Sequence, residues 1–241
     1  RNTIEDKGDY EQTLPEFYKI SNYFEFFIMS SLGDSRKHVQ IFNEFDHCCY
    51  SGKKFEVYED LFPSRHEGVN AWISISRGCD KFCTFCVVPF TRGREKSREP
   101  EELYGEIRHL VDHGAKEIIL LGQNVNSYGK RGLKNPIPFH ELLYGVAKIP
   151  GVERLRFTTS HPNDFTRETI QAYRDIDILV NHLHLPVQSG NNEVLQAMRR
   201  DHTIEEYRDL LFELKLKVPD ICISTDIIVG FPGETDEAFE D

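Results

Sequence analysis

From Ala71 onward, short apolar runs alternate with longer amphipathic stretches. "AWISIS" (71–76) reads as a strand. "PEELYGEIRHLVDHG" reads as a helix: Pro100 suits its first turn, with Glu101 and Glu102 beside it. Leu103, Ile107, Leu110 and Val111 form one face of that helix, and Gly114 stops it. "KEIILLG" (116–122) is a second strand with a continuous apolar centre, followed by a helix around 138–148. "RLRFTTS" (154–160) is a third strand, followed by a helix near 164–173. "NHLHLPV" (181–187) is a fourth strand, ended by Pro186, with a short helix at 191–198 behind it. Thr203 and Glu206 form a T-x-x-E capping box, and Ile204, Tyr207, Leu210, Leu211 and Leu214 form the buried stripe of the helix it opens. "ICISTDIIVG" (221–230) is a fifth strand, and "ETDEAFED" begins another helix.

Repeated strand–helix alternation implies an α/β fold with a parallel sheet and right-handed crossovers. Consecutive apolar residues suit strands covered on both faces. The polar signatures all follow strands: a cysteine cluster, then "GQN", "SHP", "QSG" and "GFPGE". In a barrel, or a sheet curling toward one, these positions share the C-terminal rim, where sites are built. The expected architecture is a parallel (β/α) partial barrel over 70–241, truncated at the C-terminus. Residues 1–69 mix aromatics with charge, show weak periodicity and read as a separate segment. The chain starts at Arg1 and stops just after a helix begins, so a fragment is expected.

Composition narrows the function. No apolar run approaches the roughly 20 residues of a membrane span, so no membrane partner is expected. The net charge of −11 gives no bulk argument for a nucleic-acid partner, which would need a local basic patch. "RGREKSR" (92–98) is such a patch, with Arg92, Arg94, Lys96 and Arg98. A solvated loop and a contact to RNA phosphates both fit it. Three of the six cysteines, Cys79, Cys83 and Cys86, are spaced C-x3-C-x2-C. That trio suggests reduced thiolates holding a metal in a cytoplasmic or equally reducing space, rather than disulfides.

Three centres compete for those thiolates. A structural zinc would need a distant fourth ligand, and no second close cysteine pair is present to supply it. A catalytic cysteine would need a base, and no histidine lies nearby in sequence. A 4Fe–4S cluster on three cysteines would leave one iron open to chelate a substrate, which turns the missing fourth ligand into a functional feature.

C-x3-C-x2-C after the first strand of a parallel β/α array resembles the radical S-adenosylmethionine enzymes. "RGCDKFCTFCVVPFTRGREKSR", "LLGQNVNSYG", "FTTSHP", "HLPVQSG" and "ISTDIIVGFPGET" are similar, more narrowly, to the MiaB-type tRNA methylthiotransferases. The resemblance covers roughly 70–241. It implies a 4Fe–4S cluster on Cys79, Cys83 and Cys86, whose open iron binds the methionine part of S-adenosylmethionine and cleaves it to a 5′-deoxyadenosyl radical. Phe85 matches a position packing near the adenine, although Phe82 and Phe85 could equally shield the cluster. Gly122, Gln123 and Asn124 match a turn that hydrogen-bonds the cofactor's amino group. Ser160 and Gln188 are rim candidates for cofactor contacts, with loop capping as the alternative. Gly230, Pro232 and Gly233 resemble a glycine-rich turn against the adenine, and "GFPGE" is also an ordinary turn before a helix. Asp226 could face the cofactor or serve as a structural partner.

The same resemblance implies methylthiolation at C2 of an isopentenyl-adenosine beside the tRNA anticodon, with a low-potential electron donor as a further partner. Relatives that modify threonylcarbamoyl-adenosine or a ribosomal-protein aspartate are the alternative within the class. A zinc-stabilised RNA-binding module is the alternative outside it. Such enzymes carry a second 4Fe–4S cluster on three widely spaced N-terminal cysteines. That pattern is missing from the first 70 residues, where Cys48 and Cys49 read as structural or incidental. The sulfur-donating half of the chemistry is therefore expected outside this sequence.

Overall fold

The computed structural model describes residues 68–241; Cys48, Cys49 and the rest of the N-terminal segment lie outside them. The first strand, β1 (Asn70–Ser74), pairs in parallel with β4 (Glu117–Leu121), which pairs in parallel with β5 (Arg154–Phe157). The sheet continues beyond β5 through the stretch 178–180: Leu155 N donates to Ile178 O at 2.8 Å and Val180 N to Leu155 O at 2.9 Å. The chain then shifts partner, and β6 (His182–His184) pairs in parallel with β7 (Cys222–Ser224). β1, β4, β5, β6 and β7 thus follow one another in chain order with every pairing among them parallel, as an incomplete barrel requires.

Two helices behind the first strands are α2 (Pro100–Asp112) and α3 (Phe139–Ala147); α4 (Arg167–Asp175) and α6 (Ile204–Lys217) follow later strands. Their apolar faces meet one side of the sheet in a continuous core. Leu103 and Ile107 from α2, Leu142, Leu143 and Val146 from α3, and Ile170 from α4 pack with Ile73, Ile118, Leu120, Leu155 and Leu183 from the strands. Phe157 is the junction, edge-on to Phe139 at 5.0 Å and tilted against Tyr173 at 5.6 Å. Burying each such aliphatic side chain contributes about 1.5–3 kcal/mol. Thr203 caps α6 as its spacing predicts: Thr203 Oγ1 accepts from Glu206 N at 3.2 Å, and the Glu206 carboxylate accepts from Thr203 N at 2.9 Å.

The strands depart from the sequence expectation in two respects. Only β4 has a run of fully buried neighbours; β1 alternates, with Ala71 and Ile73 buried and Trp72 exposed. The other side of the sheet is mixed, carrying Glu117, Arg154, Arg156, His182 and His184 beside Trp72 and Ile119, with Arg154 and Arg156 both paired to Glu117. The fifth strand is also shorter than 221–230. Regular pairing ends at Ser224; beyond it Thr225 Oγ1 accepts from Val187 N, and Ile227 makes only an isolated bridge to Gln188.

Candidate functional site

Parallel pairing brings the five loops that follow the strands to one edge, and side chains lace them together. The cysteine loop leaves β2 (Ser76–Arg77), a short strand whose antiparallel partner is β3 (Lys96–Ser97). This clasp folds the basic run back over the loop: Cys79 N donates to Gly93 O at 3.2 Å. A Cβ on Gly78 would stand 2.3 Å from Arg94 O, and φ there is +78°, so a glycine is required before the first cysteine. Between Val88 and Thr91 the loop makes one helical turn, α1 (Val88–Thr91). At its far side the loop docks on α5 (Asn192–Ala197): Thr84 N donates to Met198 O at 3.1 Å and Thr84 Oγ1 to Ala197 O at 3.0 Å.

Backbone strain gathers at the same edge. Among the described residues, the non-glycine residues with positive φ are Phe82, Thr159, Gln188, Arg199 and Asp201, and all five lie in these rim loops or just behind α5. Such conformations cost of order 1–3 kcal/mol each and persist where the surroundings impose them.

The three thiols lie on one loop, Cys79 and Cys83 buried and Cys86 half-buried. Burial pushes the Cys79 thiol up to about 11; the Lys81 amide opposes this, and the thiols of Cys83 and Cys86 add to it. Cys86 is raised by burial too, against the Val88 amide and the Arg200 charge. Buried thiols this close to one another need a positively charged centre to become thiolates. No group of three His, Cys, Asp or Glu side chains among the described residues converges closely enough to hold a single ion. Three thiols carried on one loop suit an iron–sulfur cluster, whose thiolate ligands bind separate irons.

A buried carboxylate knits three loops behind the cysteines. Asp164, after "SHP", accepts from Lys81 Nζ in the cysteine loop at 3.2 Å and from Asn124 Nδ2 in the "GQN" loop at 2.6 Å; Lys130 Nζ also donates to it. Burial works to raise the Asp164 pKa, but Lys130, Asn124 and Lys81 hold it below the ordinary carboxylate value. Asp80, next to Cys79, joins Arg94 Nε at 2.5 Å and Arg131 Nη1 at 3.1 Å; these bonds, with the Glu95 amide, outweigh burial and hold its pKa down. Glu95 is buried against Ser127, and burial raises its pKa.

The sequence-derived candidates therefore take specific places. Gln123 Oε1 accepts from Gly78 N at 2.6 Å, so this amide already anchors the cysteine loop and keeps only its NH2 group for a ligand. Asn124 is buried on Asp164, with its Oδ1 unpartnered. Gly122 has no room for a Cβ, which would stand 2.5 Å from Ser76 Oγ. Ser160 is buried with its Oγ unpartnered. Gln188 exchanges backbone bonds with Asp226 and Ile228, both at 2.9 Å. Phe85 is half-buried, while Phe82 packs edge-on to Phe90 at 6.1 Å beneath Arg94. Gly230 is exposed, and its turn closes on its own Glu234 carboxylate. In the basic run, Arg94 is committed to Asp80, and Arg98 to Glu106 and Ser74 O; Arg92 and Lys96 are exposed.

A family model described as "Radical SAM superfamily" matches residues 73–241. The chain belongs to the radical SAM superfamily. Radical SAM fold and chain agree in solved structures as well: TsrM, a radical S-adenosylmethionine methyltransferase from Kitasatospora setae, superposes with a TM-score of 0.57 at 19% identity over 69% of this chain and 32% of that one. Its complex with tryptophan and a SAM analogue gives 0.58. Among curated radical SAM relatives, tRNA-2-methylthio-N(6)-dimethylallyladenosine synthase of Clostridium botulinum is 53% identical over 189 residues, 78% of this chain and 41% of that protein. The synthase of the same name from Protochlamydia amoebophila is 54% identical over 78% of this chain and 42% of that protein. The chain thus spans about two fifths of the length of these relatives. Among the described residues no helix is long and apolar enough to cross a membrane.

Sequence reasoning did not single out Lys81, Glu95, Asp164 or Arg200. Lys81 lies inside the cysteine motif and Asp164 three residues after His161 of "SHP", so both were within reach. Arg200 had no local signal, because its contacts lie far away along the chain, at Cys83 and Pro186.

Proposed function

We propose that this chain is the radical-generating core of a tRNA methylthiotransferase acting at C2 of isopentenyl-adenosine beside the anticodon. Identity of 53% to synthases named for that product, with the cysteine loop intact, carries the reading. Cys79, Cys83 and Cys86 hold the 4Fe–4S cluster. The cluster and S-adenosylmethionine together supply the one-electron, hydrogen-abstracting chemistry when bound.

The chain's own residues prepare the place. Gln123 and the β2–β3 clasp hold the first cysteine in line. The Asp164 knot keeps the "GQN" and "SHP" loops locked to the cysteine loop. Ser160 Oγ is buried without a partner, a hydrogen-bonding need that a polar cofactor can satisfy. Of the basic run, Arg92 and Lys96 are the side chains placed to meet RNA phosphates, since Arg94 and Arg98 are occupied within the fold. The adenine must be splayed from its stack to reach the rim. Sulfur insertion needs a donor cluster on cysteines outside this chain's core.

The test is nucleoside mass spectrometry of tRNA from cells lacking the native modification and supplied with this radical core joined to the donor-cluster domain that sulfur insertion needs. Methylthiolated isopentenyl-adenosine is the expected product. Methylthiolated threonylcarbamoyl-adenosine in its place would overturn the substrate assignment and leave the radical chemistry standing.

A further inference from the structure

Arg200 is a buried cation without an anion. Its residue is only 5% exposed, and among the described residues no carboxylate lies within ion-pair distance of it. Its Nη2 donates to Pro186 O at 2.7 Å, its Nη1 points to Cys83 Sγ at 3.6 Å, and its Nε is buried with no partner. The position is built rather than incidental. Arg199 and Asp201, on either side, both hold a φ of 55°, and Arg200 N donates to Leu195 O at 3.0 Å at the end of α5, the helix on which the cysteine loop docks. Two neighbouring histidines, His161 and His202, offer no negative charge; His161 is pulled down to about 2 by burial first and by Arg200 second, so it is neutral. A buried charge left without a counter-charge costs several kcal/mol. The fold spends two strained residues to place that charge against the cysteines.

We infer that Arg200 is the counter-cation of the iron–sulfur cluster, and that it makes the cluster easier to reduce. The inference rests on the cluster assignment proposed above. Three thiolates and a cluster bring net negative charge to the Cys83 side that Nη1 faces. Adding one electron from an external reductant deepens that charge, breaks no bond, and is favoured by a fixed positive group a few ångströms away. The Cys83 contact places the guanidinium at one of the three proposed ligands.

The experiment is an anaerobic, dithionite-driven redox titration of the reconstituted protein, followed by EPR without S-adenosylmethionine. Wild type, Arg200→Met and Arg200→Lys are compared, each with its iron and sulfide content. In Arg200→Met the reduction equilibrium should fall by about tenfold, a shift of about 59 mV to lower potential. Arg200→Lys, which keeps the charge, should stay close to wild type. A Met variant with a full cluster and an unchanged potential overturns the inference, as does unchanged potential with weakened S-adenosylmethionine binding, which would hand Arg200 to the cofactor's carboxylate. If the Met variant holds no iron, Arg200→Lys decides: a wild-type potential supports the counter-cation, and a loss of iron as complete as in the Met variant overturns it. Wild type that assembles no 4Fe–4S cluster would instead defeat the underlying cluster assignment.

Discussion

The helix-covered side of this sheet and its C-terminal edge do different work. The side under the helices is apolar and closed: Ile73, Ile118, Leu120, Leu155 and Leu183 are fully buried in one core with α2, α3 and α4. The C-terminal edge is polar, strained and cross-linked by charge, with Asp164, Lys81, Asn124, Glu95 and Arg200 drawn out of water and five non-glycine residues at positive φ. Apolar burial stabilises the first region without needing defined partners. The second is stabilised only when every polar group meets its partner, and several of its buried atoms, among them Arg200 Nε, Ser160 Oγ and Asn124 Oδ1, do not. A rim that leaves buried polar atoms unmet, beside a core that leaves none of its aliphatic residues exposed, is a rim shaped around something the polypeptide does not itself provide.

The largest test of that contrast lies in the closed side. Phe157→Ala removes the ring between Phe139 and Tyr173 and should cost about 3–5 kcal/mol of unfolding free energy. Urea denaturation checks it, and a loss below about 1 kcal/mol would show that the helices are not seated on this residue.

Asp164→Asn comes next, at about 3 kcal/mol, because it strands Lys81 and disturbs Asn124. It also carries a pH signature. Asp164 is held below its unfolded value, so its stabilisation is present above the unfolded carboxylate pKa of about 3.9 and is lost as pH falls through the folded value. Urea midpoints measured from neutral to acid pH should fall more steeply in wild type than in the Asn variant. Parallel curves would remove Asp164 from the knot.

Smaller effects mark the edges of the comparison. Thr203→Ala opens the capping box of α6 and should cost about 1 kcal/mol in the same denaturation series. Trp72, 59% exposed on the mixed side of β1, should matter least: Trp72→Ser is expected within about 0.5 kcal/mol of wild type. A cost as large as that of Phe157→Ala would mean that the mixed side of the sheet has a core of its own.

The sequence made the closed side easy to read. Its strands and helices announce themselves by period, and Thr203 with Glu206 marked a helix start that the structure reproduces. The short elements escaped because two-residue strands such as β2 and β3 have no period to detect. Their pairing changes how "RGREKSR" reads: Glu95, just before β3, and Ser97 within it are buried between exposed neighbours, so part of a run read as a basic patch is a buried clasp. The cysteines were legible as a metal-binding trio by spacing, while spacing alone left three centres open and only the resemblance to a family singled out the cluster. Arg200 was not, since a buried ion is defined by partners that folding brings from 117 and 14 residues away.

The most direct measurement is iron and acid-labile sulfide per chain after anaerobic reconstitution, in wild type and in single cysteine variants. About four irons and four sulfides are expected in wild type, lost in Cys79→Ala, Cys83→Ala and Cys86→Ala and retained in Cys48→Ala, Cys49→Ala and Cys222→Ala, where Cys222 stands exposed on β7 away from the trio's loop. One zinc per chain, or loss of iron in a folded Cys222→Ala protein, would contradict the assignment of the rim to an iron–sulfur centre on those three thiolates.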